Sequence, residues 1–364
     1  MRIVLILLLL TLATPAQELT APAPQRLRVG ILGLTHGHAG GFFSRNLARA
    51  DLDVVGISET DAAVAGRYVE RYKLDKSRVY SSHAEMLDKA KPDVVMVFSN
   101  TFDHLEAVEL CAQRKLHVMM EKPLAVSNEH ARKMAAAAKA AGIHVMVNYE
   151  TTWYPVNTPI WRMVHEQRQL GAIRRIVTHY GHQGPKEIGT QPEFFAWLSD
   201  PAKNGAGALF DFGCYGANFA TWLFDNQRPE SVFALTRTNK PAIYAKVDDE
   251  ATIVIQYKSA QVIVEPSWNW PFSRKDMAIY GETGLLVTAN PKDYRLRVGK
   301  MKTEEAATAP PLAAPDDEVI HYLAAVVRGR MKPSGLTAIE NNLIVTEILA
   351  AARESARTGR VVRF

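Results

Sequence analysis

The first residues whose spacing suggests chemistry are Gly33-Leu34-Thr35-His36-Gly37-His38, set between an apolar run, Leu27 to Leu32, and a helical pattern. In a dinucleotide-binding turn, glycines let the backbone approach the pyrophosphate, which sits on the N-terminus of the following helix. Gly33 holds the first glycine position, but Thr35 stands in the second and His38 in the third. Alone, this altered turn fits a plain strand-to-helix connection as well as it fits a cofactor site. A second marker decides the reading: Glu59 ends the next apolar run, where a carboxylate would grip the two ribose hydroxyls. Its neighbours Ser58 and Thr60 carry no charge to meet a 2′-phosphate, which favours NAD over NADP. Gly33, Leu34, Thr35, His36 and Glu59 are therefore expected to bind NAD. His36 and His38, with His104 further on, also raise the question of a metal, but no Cys or carboxylate at ligand spacing accompanies them. No metal site is expected, and both histidines are read as polar loop residues facing cofactor or substrate.

These residues need elements to present them. In the first half, short runs rich in Val and Ile alternate with helix-length amphipathic segments. Leu27–Leu32, Leu52–Ser58, Val94–Ser99, His117–Met120 and His144–Tyr149 read as strands apolar on both faces. Gly40–Arg49, Ala62–Tyr72, Ser82–Lys89, Phe102–Gln113 and Ser127–Ala141 read as helices, and Ser82-His83-Ala84-Glu85 matches a capping box. Strands buried on both faces and separated by helices predict a doubly wound parallel sheet, a Rossmann domain over residues 27–148. From residue 149 the texture changes. After one helical pattern, Pro159–Gln169, polar and apolar residues alternate in Arg174–Tyr180, Ser231–Arg237, Thr252–Tyr257, Gln261–Trp268, Met277–Tyr280 and Gly284–Val287. Alternation predicts an open, mostly antiparallel sheet with one buried face. A Pro/Ala-rich stretch, Ala306–Pro315, precedes two closing helical patterns, Asp316–Val327 and Thr337–Arg357. Residues 149–364 are thus expected to form an α+β domain that binds the substrate, in a chain that is α/β overall.

The 364 residues, 47% apolar and 22% charged, suffice for two domains with buried cores and exclude intrinsic disorder or a disulfide-stapled mini-protein. A formal charge of +5, scattered without a long basic run, gives no reason to expect a nucleic-acid partner. Cys111, in a helical pattern, and Cys214, in a Gly-rich one, make no disulfide framework and are expected to be free. Met1 to Ala16 runs from one Arg through an apolar stretch of about ten residues to small residues at Thr14 and Ala16. This is the order of a secretory signal peptide, too short to span a membrane. Residues 1–16 are expected to be removed and 17–26 to form a linker. The mature protein is then periplasmic or secreted through the general route, without membrane insertion.

At Glu121-Lys122-Pro123 the sequence reaches a more specific signature. With Asn100 to His104, Glu59, the altered glycine turn and the segment Gly205 to Tyr215 (GAGALFDFGCY), it resembles the glucose-fructose oxidoreductase, inositol dehydrogenase and MocA (Gfo/Idh/MocA) family. Thr337 to Val362 looks like that family's closing helix and Thr-Gly-Arg-hydrophobic tail, so the resemblance covers nearly the whole chain from Arg28. It implies a two-domain, nicotinamide-dependent oxidoreductase acting on sugars, cyclitols or related polyols, with Asn100, His104, Glu121 and Lys122 joining the NAD-binding set. It also matches the family's Lys to Lys122, and its Asp and His, four residues apart, to Asp211 and Tyr215. Tyr in that place is similar to the branch containing glucose-fructose oxidoreductase and dihydrodiol dehydrogenase, where Tyr handles the proton. Asn218 stands where many members have another Asp.

Oxidising a secondary alcohol requires a base for the hydroxyl proton while hydride leaves for the nicotinamide, and the base works best with a pKa near ambient pH. A free Tyr is near 10 and a Lys near 10.4, so each needs about three units, roughly 4 kcal/mol, of environmental help. A cation lowers a nearby phenol, and an apolar pocket lowers an ammonium. Tyr215 is accordingly expected to be the principal acid/base, Lys122 its electrostatic partner or a hydroxyl-binding donor, and Asp211 the residue that orients them; which of Tyr215 and Lys122 carries the proton stays open. Tyr149, Trp153, Tyr154, His179, His182 and Trp268 fall on segments that would face the cleft, where aromatic faces suit sugar rings. His144 and His321 read as structural.

An exported nicotinamide enzyme works where free cofactor is scarce, and retention against nanomolar NAD needs about −12 kcal/mol of binding. Two further readings follow: a redox-neutral glycosidase or epimerase using tightly bound NAD, and a non-catalytic sugar- or nucleotide-binding protein, which the altered turn suggests. The resemblance also implies a homo-oligomer formed through the second-domain sheet.

Overall fold

The computed structural model describes residues 26–364; the expected signal segment 1–16 and nearly all of the linker 17–26 lie outside the described residues. The first sheet is parallel and has six strands: β1 (Leu27–Leu32), β2 (Leu52–Ser58), β3 (Val79–Tyr80), β4 (Val94–Val97), β5 (His117–Glu121) and β6 (Val145–Asn148). Their spatial order is β3-β2-β1-β4-β5-β6. They are connected through α1 (His38–Asn46), α2 (Ala62–Tyr72), α3 (His83–Ala90), α4 (His104–Gln113) and α5 (Asn128–Ala141). Val95 and Val97 of β4 and Val118 and Met120 of β5 enter one core with residues of α3, α4 and α5. Val94, Met96 and Met119, alternating with them, enter the other core under α1 and α2. This is the two-sided burial read from their continuous apolar runs. Side-chain caps set the helix starts: Asp61 accepts from Ala63 N and Val64 N before α2, and Ser127 from His130 N before α5. The capping box at α3 is half realised. Ser82 Oγ accepts the Glu85 N–H at 3.3 Å, while the Glu85 carboxylate accepts from Lys89 instead.

The second sheet has nine strands: β7 (Ile173–Gly181), β8 (Ser231–Arg237), β9 (Glu250–Gln256), β10 (Gln261–Ser267), β11 (Arg274–Gly281), β12 (Gly284–Thr288), β13 (Asp293–Val298), β14 (Glu305–Thr308) and β15 (Val362–Arg363). The order is β14-β13-β12-β11-β7-β10-β9-β8-β15, antiparallel except for the parallel pair β7 and β10. Its helices are α6 (Asn157–Trp161), α7 (Pro192–Leu198), α8 (Pro201–Asn204), α9 (Ala208–Asp211), α10 (Gly213–Leu223), α11 (Val319–Val327) and α12 (Ile339–Thr358). The helix expected over Pro159–Gln169 is the short α6 continued by a wide π-type turn, Arg162–Glu166. Elements beyond the expected division at residue 149 pack back on the first half: Ile320, Tyr322 and Leu323 of α11 enter the core under α1 and α2, and α12 lies against α5 and β6. Among the described residues no helix is long and apolar enough to cross a membrane. Cys111 and Cys214 are both free and buried, as expected.

Candidate active site

Residues that follow β1, β5 and β6 line a cleft of about 760 Å³ together with residues of the α9–α10 junction and of β11. Lys122 comes directly after β5 and Asp211 ends α9. Lys122 Nζ donates to Asp211 Oδ1 at 2.5 Å and to Asp211 O at 3.0 Å, and each residue is only 5% exposed. The Trp268 indole N–H donates to the other carboxylate oxygen, Oδ2, at 2.9 Å. Burial pushes the Asp211 carboxyl up, but the Lys122 ammonium and the Trp268 bond hold it below the usual carboxylate range. Burial likewise pushes Lys122 down, and Asp211 overrides it, so the ammonium sits above its ordinary value. The expected lowering of Lys122 by an apolar pocket is therefore corrected: the pocket contains the counter-charge.

Tyr215, in the first turn of α10, is 2% exposed and stacks on Tyr180 at 5.3 Å, with Tyr149 edge-on at 5.4 Å between ring centroids. Lys122 Nζ lies 5.1 Å and Lys275 Nζ 5.3 Å from its ring centroid. Burial pushes the phenol well above its usual value, and Glu150 and Asp211 push the same way. The expected lowering by a neighbouring cation is not found. Each cation arrives with a carboxylate, Lys122 with Asp211 and Lys275 with Glu150, so the phenol meets little net positive charge.

On the cofactor side, Gly33 adopts φ +74°, and a Cβ there would meet Ser99 N at 2.9 Å, so the first glycine of the turn has a steric reason. Gly37 before α1 has no side chain to cap it and the first turn carries no acidic residue to repel a phosphate, although His36 already takes the His38 and Ala39 N–H groups through its ring and its carbonyl. Glu59 Oε2 accepts the Leu34 N–H at 2.7 Å and Oε1 the Asp61 N–H at 2.9 Å. A carboxylate has about four lone-pair sites, so Glu59 keeps capacity for ribose hydroxyls. Turn, helix end, Glu59 and Lys122 thus fit a nicotinamide dinucleotide. Other expected contacts are placed differently. The Thr35 carbonyl accepts the Trp197 indole N–H of α7 at 3.1 Å, and the His36 ring is buried against Phe194 and Trp197. Asn100 Oδ1 accepts the Asp103 N–H at 3.1 Å and shapes the turn before α4. His104 Nδ1–H donates to Leu124 O at 3.1 Å and braces the loop after Lys122. Neither Asn100 nor His104 lines the cleft.

Glu121 is buried between His38, whose Nδ1–H donates to Oε2 at 2.9 Å, and Asn148, whose Nδ2–H donates to Oε1 at 2.9 Å. A carboxylate therefore does accompany the two histidines, from a different strand: His36, His38 and Glu121 bring ligand-type atoms within 4.8 Å of one another. His36 Nδ1, however, accepts the His38 backbone N–H at 3.1 Å. Burial keeps that ring neutral, so its own proton is on Nε2 and no free lone pair faces a cation.

Of the expected substrate contacts, Tyr154 and His182 line the cleft, and the Tyr154 hydroxyl donates to Glu150 at 2.9 Å. Tyr149 is fully buried behind Tyr215 and does not line it. Trp153 lines an adjoining cavity and donates from Nε1–H to Asn148 Oδ1 at 3.0 Å. Trp268 is fully buried on Asp211, and His179 is engaged by Asp276 at 2.9 Å and Glu265 at 3.3 Å. Asn218 is structural, donating to Leu336 O at 2.9 Å and Asn341 Oδ1 at 3.0 Å. Sequence reasoning does not reach Glu150, Arg274, Lys275 and Asp276, which also line the cleft. In the sequence, charged residues at the start of an alternating strand have the signature of a solvated face, and nothing in it separates the two cases.

Residues 27–149 match the family described as "Oxidoreductase family, NAD-binding Rossmann fold", and residues 161–287 match the "GFO/IDH/MocA C-terminal domain". The trans-1,2-dihydrobenzene-1,2-diol dehydrogenase of Xenopus laevis is 26% identical over 240 residues, which cover 66% of this chain and 68% of that protein. The Homo sapiens enzyme of the same name is 27% identical over 213 residues, covering 58% of this chain and 59% of that protein. The fold is shared with an aldose-aldose oxidoreductase from Caulobacter crescentus complexed with glycerol, at a TM-score of 0.77, 21% identity and coverage of 93% of this chain and 100% of that one. It is also shared with an inositol dehydrogenase homologue complexed with NAD+ from Azotobacter vinelandii, at a TM-score of 0.79, 17% identity and coverage of 93% and 98%.

Proposed function

The chain belongs to the Gfo/Idh/MocA oxidoreductase family, and on that premise we propose that it transfers hydride between NAD(H) and a secondary alcohol of a sugar, cyclitol or related polyol. Family and Rossmann domain together make it an NAD-dependent oxidoreductase; the polyol is the proposed part. The observation that carries it is Lys122, clamped by Asp211 and facing Tyr215, in a cleft that also holds Glu150, Lys275, Arg274 and Asp276. Paired charges of both signs offer many donors and acceptors with little net charge, which suits a neutral, hydroxyl-rich substrate. Glycerol in one structural neighbour and the inositol dehydrogenase name of another support the same class.

NAD, when bound, supplies the hydride acceptor. Lys122 stays charged because Asp211 holds it, and it donates a hydrogen bond to the alcohol oxygen. As the carbon gives up hydride, the hydroxyl proton passes to Tyr215 Oη, which must start as phenolate; in reverse, the phenol returns that proton to the carbonyl oxygen. Burial keeps Tyr215 as the phenol, so near neutral pH the site is stocked with the acid that carbonyl reduction needs. The test is absorbance at 340 nm with NAD and a panel of glucose, galactose, xylose, myo-inositol and glycerol. Turnover by the native protein that Lys122→Ala and Tyr215→Phe each abolish is the expected result, and near-normal activity of either variant removes that residue from the mechanism.

Redox-neutral chemistry on retained NAD is the second reading, supported by the burial of Gly33, Leu34, His36 and Glu59 and by Glu150, an extra carboxylate on the cleft for a second proton. Abundant nicotinamide released on denaturing the purified protein is its signature. Export is part of the proposal, on the signal-like order of residues 1–16. Protein recovered from periplasm or medium should then begin at Gln17. A homo-oligomer through the second sheet is tested by light scattering.

A further inference from the structure

We propose that the outer end of the active cleft is a subsite for an apolar group attached to the reacting polyol, which makes the substrate class an aryl or alkyl glycoside rather than a free sugar. This rests on the oxidoreductase reading above and concerns residues that reading does not use. Phe272 and Ile188 are 63% and 49% exposed, and both line the same cleft as Lys122 and Tyr215. They come from separate loops, one before β11 and one after β7. Large apolar side chains left in water on the walls of one cleft mark a surface that something apolar covers.

The backbones around them are fastened. Gln183 Nε2–H donates to Pro271 O at 2.7 Å, tying one loop to the other. Lys240 Nζ donates to Gln183 O at 2.6 Å and to Trp268 O at 2.7 Å, and the Ile188 N–H donates to Gly184 O at 3.0 Å. The loops are thus built to present these side chains at the mouth. Deeper in, the walls turn polar with Lys122 and Asp211, both buried. The cleft is thus hydroxyl-binding at the buried end, while its exposed lining carries the apolar Phe272 and Ile188 beside the charged Glu150 and Arg274. A free sugar carries hydroxyls all round and can offer the mouth only the C–H face of its ring. A glycoside with an apolar aglycone satisfies both ends at once, its ring at Lys122 and its aglycone between Phe272 and Ile188. About 760 Å³ exceeds what one sugar ring fills and lies within the range of pockets that hold larger ligands.

The test is calorimetric titration of the full protein, with NAD present, using the methyl and the phenyl β-glycosides of glucose, galactose and xylose, alongside absorbance at 340 nm. The phenyl member of at least one pair should bind at least tenfold more tightly than its methyl partner. Phe272→Ser, and separately Ile188→Ser, should bring that ratio to about one, while Phe272→Leu keeps most of it. Equal affinities within every pair, or no binding by any phenyl glycoside, overturns the subsite. Hydride transfer with equal affinities leaves the oxidoreductase reading standing without it. A strong phenyl preference without hydride transfer does the reverse.

Discussion

The Trp268 indole N–H donates to Asp211 Oδ2 at 2.9 Å while Lys122 occupies Oδ1, so a single carboxylate links the residue that follows β10, inside the second sheet, to the cation that follows β5. Trp268→Phe keeps most of the ring volume and removes the donor. It should cost about 1–2 kcal/mol of stability, the price of an unmet buried acceptor. Turnover should fall about tenfold, since a positioning bond rather than a reacting group is lost. Asp211→Asn is harsher. It leaves the buried Lys122 charge unpaired, at about 3–5 kcal/mol, and should abolish turnover. Urea unfolding read beside kcat checks both; a Trp268→Phe variant with native stability and rate would remove the link.

Tyr215 makes a pH prediction with a definite sign. Burial raises the phenol, so the phenolate that accepts a proton becomes scarcer as pH falls. The kcat/KM for alcohol oxidation should rise with pH, with a log–log slope of about one, and show no plateau below about pH 10. Carbonyl reduction, which uses the phenol, should stay flat over the same range. Tyr215→Phe should lose about 100-fold or more in both directions and with it the slope. A bell-shaped profile centred near neutrality would assign the proton to another group.

Glu59 decides the cofactor. Its carboxylate already anchors the Leu34 and Asp61 N–H groups and, among the described residues, forms no ion pair with a cation that could receive a 2′-phosphate. NADH should therefore bind at least tenfold more tightly than NADPH in a fluorescence titration, an interval of about 1.4 kcal/mol. Glu59→Ala should erase most of that preference and weaken NADH as well, because the turn at Leu34 loses its acceptor. Equal affinity for the two cofactors in the native protein would contradict the reading.

What could be read before the fold was known follows from how each residue is buried. β1, β2 and α2 are legible to the residue, because their apolar patterns carry the period of the element. α10 has no such signature. Ten of its eleven residues are buried, so no polar face remains to give it a helical period. β13 is a half-exposed and β14 a mostly exposed strand at the edge of the second sheet, and β14 is too rich in Ala to stand out from the Pro/Ala stretch around it. Lys122, Asp211 and Tyr215 were recognisable through the resemblance, but their electrostatics were not. Lys122 and Asp211 are 89 positions apart in the chain, and their meeting cancels the cation expected to lower Tyr215; Glu150 and Lys275, 125 apart, add a second cation already paired. Glu121 beside His38 is the same kind of fact, created by β4 pairing with both β1 and β5 and so bringing the ends of those two strands together.

Asp248 couples the acidity of one carboxyl to the placement of Asp211. Its two oxygens accept the N–H groups of Gly207 at 2.9 Å and Leu209 at 2.7 Å, fixing the start of α9, the short helix that ends at Asp211. The packing there is tight enough that a Cβ on Gly207 would meet Asp248 O at 1.8 Å. Burial pushes the Asp248 carboxyl up to about 6, with the two N–H bonds pulling against it. A folded-state value above the unfolded one means that the native state holds the proton more tightly, so this group's contribution is complete below about pH 4 and is lost as pH rises through about 6. Asp248→Asn cannot ionise and gives up one of the two acceptors, a loss of about 1 kcal/mol that does not change with pH in this range. Between about pH 4 and pH 6.5, the stability of the native protein relative to that variant should therefore decline, as read from urea midpoints at each pH. Parallel pH dependences would show that the carboxylate is already ionised on the acid side, and that the hydrogen bonds to α9 outweigh its burial.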